Sequence, residues 1–164
     1  MTGREKRRRH DDAVWAFTFF LRLSGIPAAD EVGIRGGRID IVSYTPNRVP
    51  EWAIEVKTNP DVFMGGVKQI VRYADLLPAP NRLLVVDTPL DCEDLRALAA
   101  SYDVHVLAVD VDTLYETMRR AVDGTRPSTR YYVAAPYIHP ETVAVATEKI
   151  MAANREWRAR RAVA

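Results

Sequence analysis

Apolar positions along the chain fall into short blocks whose spacing alternates between helical and extended. Trp15, Phe17, Phe19, Phe20, Leu21 and Leu23 cover most of a helical circumference, so the first block reads as a well-buried helix. Asp11 or Asp12 is the expected N-cap, because a carboxylate there accepts the unpaired amides of a first turn. Gly25 and Pro27 stop the helix after Ser24. Extended segments follow. Glu31–Ile34 leads through Gly36-Gly37, a hairpin signal, into Arg38–Val42. Pro46, Asn47 and Pro50 mark another turn, and Trp52–Lys57 is the next strand of this antiparallel group.

Asn59, Pro60 and Gly65-Gly66 then open a helix over Val67–Leu77, closed by Pro78 and Pro80. Leu83–Val86 and Val104–Val109 are short continuous apolar runs, the pattern of strands covered on both faces. A helix around Cys92–Ala100 joins them, and Asp112–Val122 forms another. Residues 123–130 read as an exposed loop, and Pro140 opens a last amphipathic helix to about Arg161. The order of elements predicts an α/β fold, a mixed central sheet with helices on both faces.

The 164 residues suit one domain, large enough to bury roughly 70% of the surface of its unfolded chain. A hydrophobic fraction of 48% beside 27% charged residues describes an ordinary globular protein. The opening MTGREKRRRH followed by an apolar run imitates a signal peptide, but Asp11, Asp12 and Arg22 interrupt it and the run is too short to span a membrane. The single cysteine, Cys92, excludes an internal disulfide and any four-cysteine metal site, and a cytoplasmic (intracellular) location is expected, with no membrane partner. The net charge of +1 hides an asymmetry: residues 1–10 carry +4, residues 150–164 carry +3 and the body carries −6. Basic ends suit contact with a polyanion, and an acidic body holds carboxylates for another purpose.

Those carboxylates have a pattern. Asp40 interrupts an apolar strand, and Glu55 and Lys57 lie two apart in Ile-Glu-Val-Lys, so the latter two share a face. If the strands pair, Asp40 joins them. Such a group is expensive to bury without a counter-ion. A divalent metal resolves that cost: Asp40 and Glu55 offer hard oxygens suited to Mg2+ or Mn2+, with the Val56 backbone carbonyl between Glu55 and Lys57. Lys57 is placed to orient or deprotonate an attacking water, and the assembly can hydrolyse a phosphodiester.

Ile39-Asp40, a gap of fourteen residues and then Glu55-Val56-Lys57 resembles the PD-(D/E)xK nuclease signature. Gln69-Ile70-Val71-Arg72-Tyr73 matches the QxxxY motif of the RecB-like branch of that superfamily, and the order of elements over residues 11–110 resembles the restriction-endonuclease-like core. The resemblance implies a metal-dependent deoxyribonuclease, endonuclease or exonuclease, in which Gln69 and Tyr73, one helical turn apart, position Lys57, the nucleophile or the substrate backbone. Two departures stand out: Ile39 replaces the proline before the first acid, and the first helix lacks the glutamate that the family often carries there. Asp11 or Asp12 is the candidate substitute as a metal ligand, against the simpler role of N-cap. No cysteine cluster exists for the iron–sulfur subgroup.

The expected organisation is a basic N-terminal tail over 1–10, a nuclease-like core over 11–110 and a helical extension over 111–164 that packs on the core. Arg7, Arg8, Arg9, Arg126, Arg130 and Arg158 are candidate phosphate contacts for DNA, against the plainer reading of solvated charge. A homodimer is expected because cutting two strands commonly needs two sites. His10, His105 and His139 show no ligand spacing. Two other function classes fit the same residues: a non-catalytic DNA-binding or assembly subunit, and an RNA-cleaving defence effector.

Overall fold

The first helix begins well upstream of the aspartates. In the computed structural model, which describes residues 2–87 and 93–121, α1 runs over Gly3–Leu23. Its N-cap is Thr2, whose hydroxyl accepts from the Glu5 amide while the Glu5 carboxylate accepts from the Thr2 amide. This reciprocal box satisfies two of the amides a helix start leaves orphaned. The expected basic tail over 1–10 and the aspartate cap are therefore corrected: Asp11 and Asp12 lie in mid-helix.

Basic residues oppose the positive end of a helix dipole, so the start of α1 needs outside support. Arg9 supplies it. Its guanidinium reaches Asp87 at 2.6 Å and Asp112 at 2.8 Å, and Asp87 also accepts from the Val111 amide. Breaking a buried ion pair costs about 3–5 kcal/mol; with Arg9 itself part-exposed, Arg9→Met is expected to lose about 2 kcal/mol, read as a lower urea midpoint.

Beyond α1, the strands are β1 (Ala28–Ile34), β2 (Gly37–Tyr44), β3 (Pro50–Lys57), β4 (Asn81–Asp87) and β5 (His105–Val109). Gly36 turns the β1–β2 hairpin at φ +83°, a conformation that side chains resist. The sheet order is β1-β2-β3-β4-β5, antiparallel through the first three strands and parallel through the last three. The crossovers carry α2 (Phe63–Leu76) and α3 (Glu93–Ser101), and α4 (Val111–Ala121) follows β5. The described residues thus form an α/β fold of five mixed strands and four helices.

Alternation along the strands sorts the core into two layers. Ile41, Ile54, Val56 and Val85 pack with Trp15 and Phe19 of α1 and Leu114 and Met118 of α4. On the other face Val42, Ala53, Leu84 and Val86 pack with Val67 and Ile70 of α2 and Leu95 and Ala99 of α3. Burying a large apolar side chain is worth about 1.5–3 kcal/mol, so each layer clamps its helices firmly.

The spacing predicts α2 from Val67, after a glycine pair, yet the helix starts at Phe63 and keeps both glycines inside. Gly66 is needed there: a Cβ would lie 2.9 Å from Leu84 Cδ1 and 3.1 Å from Lys57 Cγ. The helix approaches β3 and β4 more closely than a side chain permits. Residues 123–130, the expected helix from Pro140 and Cys92 lie outside the described residues, as does the extension beyond Ala121.

Candidate active site

Two strands part where the acids sit. The β2–β3 ladder runs from Tyr44 with Pro50 to Ile41 with Ile54. One step further, Asp40 and Glu55 stand opposite each other, but the ladder has stopped. Beyond that point β2 stays paired to β1 and β3 to β4, which opens a fork between them. The strand alternation breaks here too: Ile39 packs in the α2 layer and Ile41 in the α1 layer.

A fork leaves backbone donors without ladder partners, and a buried amide cannot stay unpaired cheaply. The acids fill the gap. The Asp40 amide donates to Glu55 Oε1 at 3.2 Å, and the Val56 amide donates to Asp40 Oδ2 at 2.9 Å. Each carboxylate thereby replaces a strand.

Lys57 completes the group. Its Nζ lies 3.6 Å from Glu55 Oε2, as the two-residue spacing on one strand face predicts. The Glu55 side chain is 1% exposed and that of Lys57 is 17% exposed. The stem of Lys57 rests on Gly66, which α2 presents without a side chain. Gly66→Ala is expected to displace the ammonium and lower cleavage about tenfold, and to cost about 1–3 kcal/mol of stability, because the added Cβ must push the buried Leu84 aside and alanine's helix propensity offsets only part of that. Parallel rate and melting measurements check it.

His10 is the member that sequence reasoning missed. Its Nε2 is 3.2 Å from Asp40 Oδ2, and its Nδ1 is 3.5 Å from Asp11. The signal is the helix period itself: His10, Val14 and Phe17 share one face once α1 is known to start at Gly3. The hydrogen bond to Asp40 holds the imidazole above its ordinary value against the opposing effect of burial, with the charges of Asp40 and Asp11 assisting.

The two acids differ sharply. Burial pushes Asp40 upward, but His10, the Val56 amide and Lys57 outweigh it and hold the carboxyl below the usual range. Glu55 is pushed up to about 8, by burial first and by the charge of Asp40 second, against partial relief from Lys57. Close carboxylates that separate in this way cannot both ionise comfortably.

Among the described residues, no cluster of three or more His, Cys, Asp or Glu side chains stands arranged around a metal position. The donor chemistry still fits a hard divalent cation. Asp40 and Glu55 supply oxygens, and a cation between the acids would offset the burial and the Asp40 charge that hold Glu55 protonated.

The other candidates are dispersed. Gln69 Nε2 donates to the Tyr73 hydroxyl at 3.2 Å. That hydroxyl lies 3.0 Å from where a Cβ on Gly37 would stand, and the Arg72 guanidinium covers the ring at 5.0 Å. The pair packs against the start of β2 and, among the described residues, makes no hydrogen bond to Lys57. Among the described residues Asp11 meets the far nitrogen of His10, while Asp12 and Arg8 line a separate depression between α1 and α4. Arg7 is exposed beside the site, and Arg9 is committed to Asp87 and Asp112. Arg126, Arg130 and Arg158 lie outside the described residues. His105 stands on β5 against Trp52, with ring centres 5.4 Å apart, away from the fork.

No helix among the described residues is long and apolar enough to cross a membrane. Comparison of the chain with protein-family models, with curated proteins and with solved structures finds no match.

Proposed function

We propose that the protein is a metal-dependent nuclease that hydrolyses phosphodiester bonds in DNA, built on a restriction-endonuclease-like core. One observation carries the reading: the fork between β2 and β3 interleaves Asp40 with Glu55 and sets Lys57 3.6 Å from Glu55. A sheet that is antiparallel through β3 and parallel beyond it, with the acids on the two central strands that part, supports the core.

Asp40 and Glu55 would hold Mg2+ or Mn2+, with the Val56 carbonyl beside them and His10 within reach of Asp40. Bound there, the cation supplies charge neutralisation at the phosphate and a lower pKa for water. The protein's own groups do the rest. Lys57, anchored on Gly66 and Glu55, orients the attacking water and offsets negative charge that grows on the phosphate. The Val56 amide and His10 keep Asp40 ionised and fixed in direction. Lys6 and Arg7 attract the phosphate backbone through a term that weakens steeply with salt. Two copies acting together would cut both strands, and light scattering with and without duplex reads that state.

The test is supercoiled plasmid incubated with Mg2+, with Mn2+ or with EDTA. Relaxation or linearisation with metal, absent in EDTA, supports the nuclease. Salt-sensitive binding without cleavage, with a melting temperature indifferent to metal, replaces it with the non-catalytic DNA-binding subunit. Competing RNA and DNA substrates in the same reaction separate the RNA-cleaving effector.

A further inference from the structure

Beside the fork lies a cleft of about 420 Å3 between the first turns of α1 and the segment that follows β3. Its volume is that of a small-molecule site, and its wall joins the candidate catalytic group through His10 and Lys57. Lys6 stands one turn before His10 on the same helix face, so the cations form a row that leads away from Asp40. Arg7 and Arg9 add to it, and among the described residues no carboxylate lines the cleft. Arg9 is neutralised by Asp87 and Asp112, whereas Lys6 and Arg7 have no ion pair among the described residues.

The opposite wall is different. Thr58, Asn59, Pro60 and Val62 line it, and Val62 is 45% exposed. Exposed apolar surface across from unpaired cations is the chemistry of a ligand with an anionic end and a flat apolar body. A bare phosphate would use only the cations, and a lipid chain or apolar peptide would use only Pro60 and Val62.

We infer that this cleft holds one nucleotide, its phosphate against Lys6 and Arg7 and its base against Pro60 and Val62. The base lies unpaired, since a cleft of this volume cannot take a base pair with both backbones. The inference rests on the nuclease reading for which polymer delivers the nucleotide: the unit beside the scissile phosphate of the bound strand. Apolar contact with a base's flat face tolerates any sequence, so the cleft would position the strand without choosing its bases.

The test is calorimetric titration of the full-length protein in EDTA with thymidine monophosphate, thymidine and inorganic phosphate. The nucleotide is expected to bind at least tenfold more tightly than inorganic phosphate, and thymidine more weakly than either. Val62→Asp is expected to remove that tenfold advantage, and Lys6→Glu to weaken nucleotide and phosphate together. Circular dichroism confirms each variant is folded, with Val62→Ser as the milder replacement. Equal affinity for phosphate and nucleotide, or no nucleotide binding by the wild type, overturns the inference. Because this binding is read without metal or cleavage, its failure is distinct from failure of the plasmid assay.

Discussion

Lys57→Ala is expected to lose about 10^2–10^3-fold in the rate of metal-dependent plasmid cleavage while melting close to the wild type. The rate falls because a positioned charge acting at the reacting phosphate contributes on that scale. The fold survives because the lysine is a minor restraint on its neighbour. Glu55, already pushed up to about 8 by burial and by Asp40, responds to the missing ammonium by staying protonated, so no uncompensated charge is left in the fork. Asp40→Asn should fall at least as far in rate, through loss of a hard anionic ligand. An active Lys57→Ala or Asp40→Asn enzyme would refute the mechanism. Gel assays of nicked and linear product at several protein concentrations provide the measurement.

Glu55→Gln is expected to move stability and activity in opposite directions. The folded protein holds Glu55 at about 8 against a reference near 4.5, so between those values the folded state binds more protons than the unfolded state. Stability from this group is complete below about pH 4.5 and drains away as pH rises towards about 8. His10, also raised, adds to the loss above its ordinary value. Asp40, lowered, acts in reverse and costs stability only in acid. Glutamine keeps the acceptor for the Asp40 amide without the buried charge. The variant should therefore gain on the order of 2 kcal/mol at pH 8 in EDTA, lose most of its cleavage, and show a flatter stability profile between pH 5 and 8. Adding Mg2+ should raise the melting temperature of the wild type and leave Glu55→Gln nearly unmoved. Urea titrations at pH 5 and 8, each with and without metal, decide the matter. A wild type more stable at pH 8 than at pH 5 in EDTA would contradict the buried-pair account.

Much of this site is legible in the amino-acid sequence. Glu55 and Lys57 share a face because strand side chains repeat every two residues, and that spacing is a property of the chain alone. The apolar runs at Leu83–Val86 and Val104–Val109 mark covered strands, and β4 and β5 occupy them within a residue or two. Gly36 marks the hairpin because a positive φ suits glycine. The start of α1 is harder to read, for a local reason. Asp11 and Asp12 are good caps in isolation, but Thr2 and Glu5 form a reciprocal cap nine residues earlier, and Arg9 finds Asp87 and Asp112 far along the chain.

Local pattern, then, determined the element types, the two-faced sheet and the identity of the acid–acid–lysine group. Tertiary structure alone decided where β2 and β3 part, that His10 meets Asp40, that Tyr73 packs against Gly37, and that a cleft opens beside the fork. The reason is physical. Periodicity acts between neighbours in the chain, whereas the end of a strand ladder is a contest between backbone partners and carboxylates brought together only by packing.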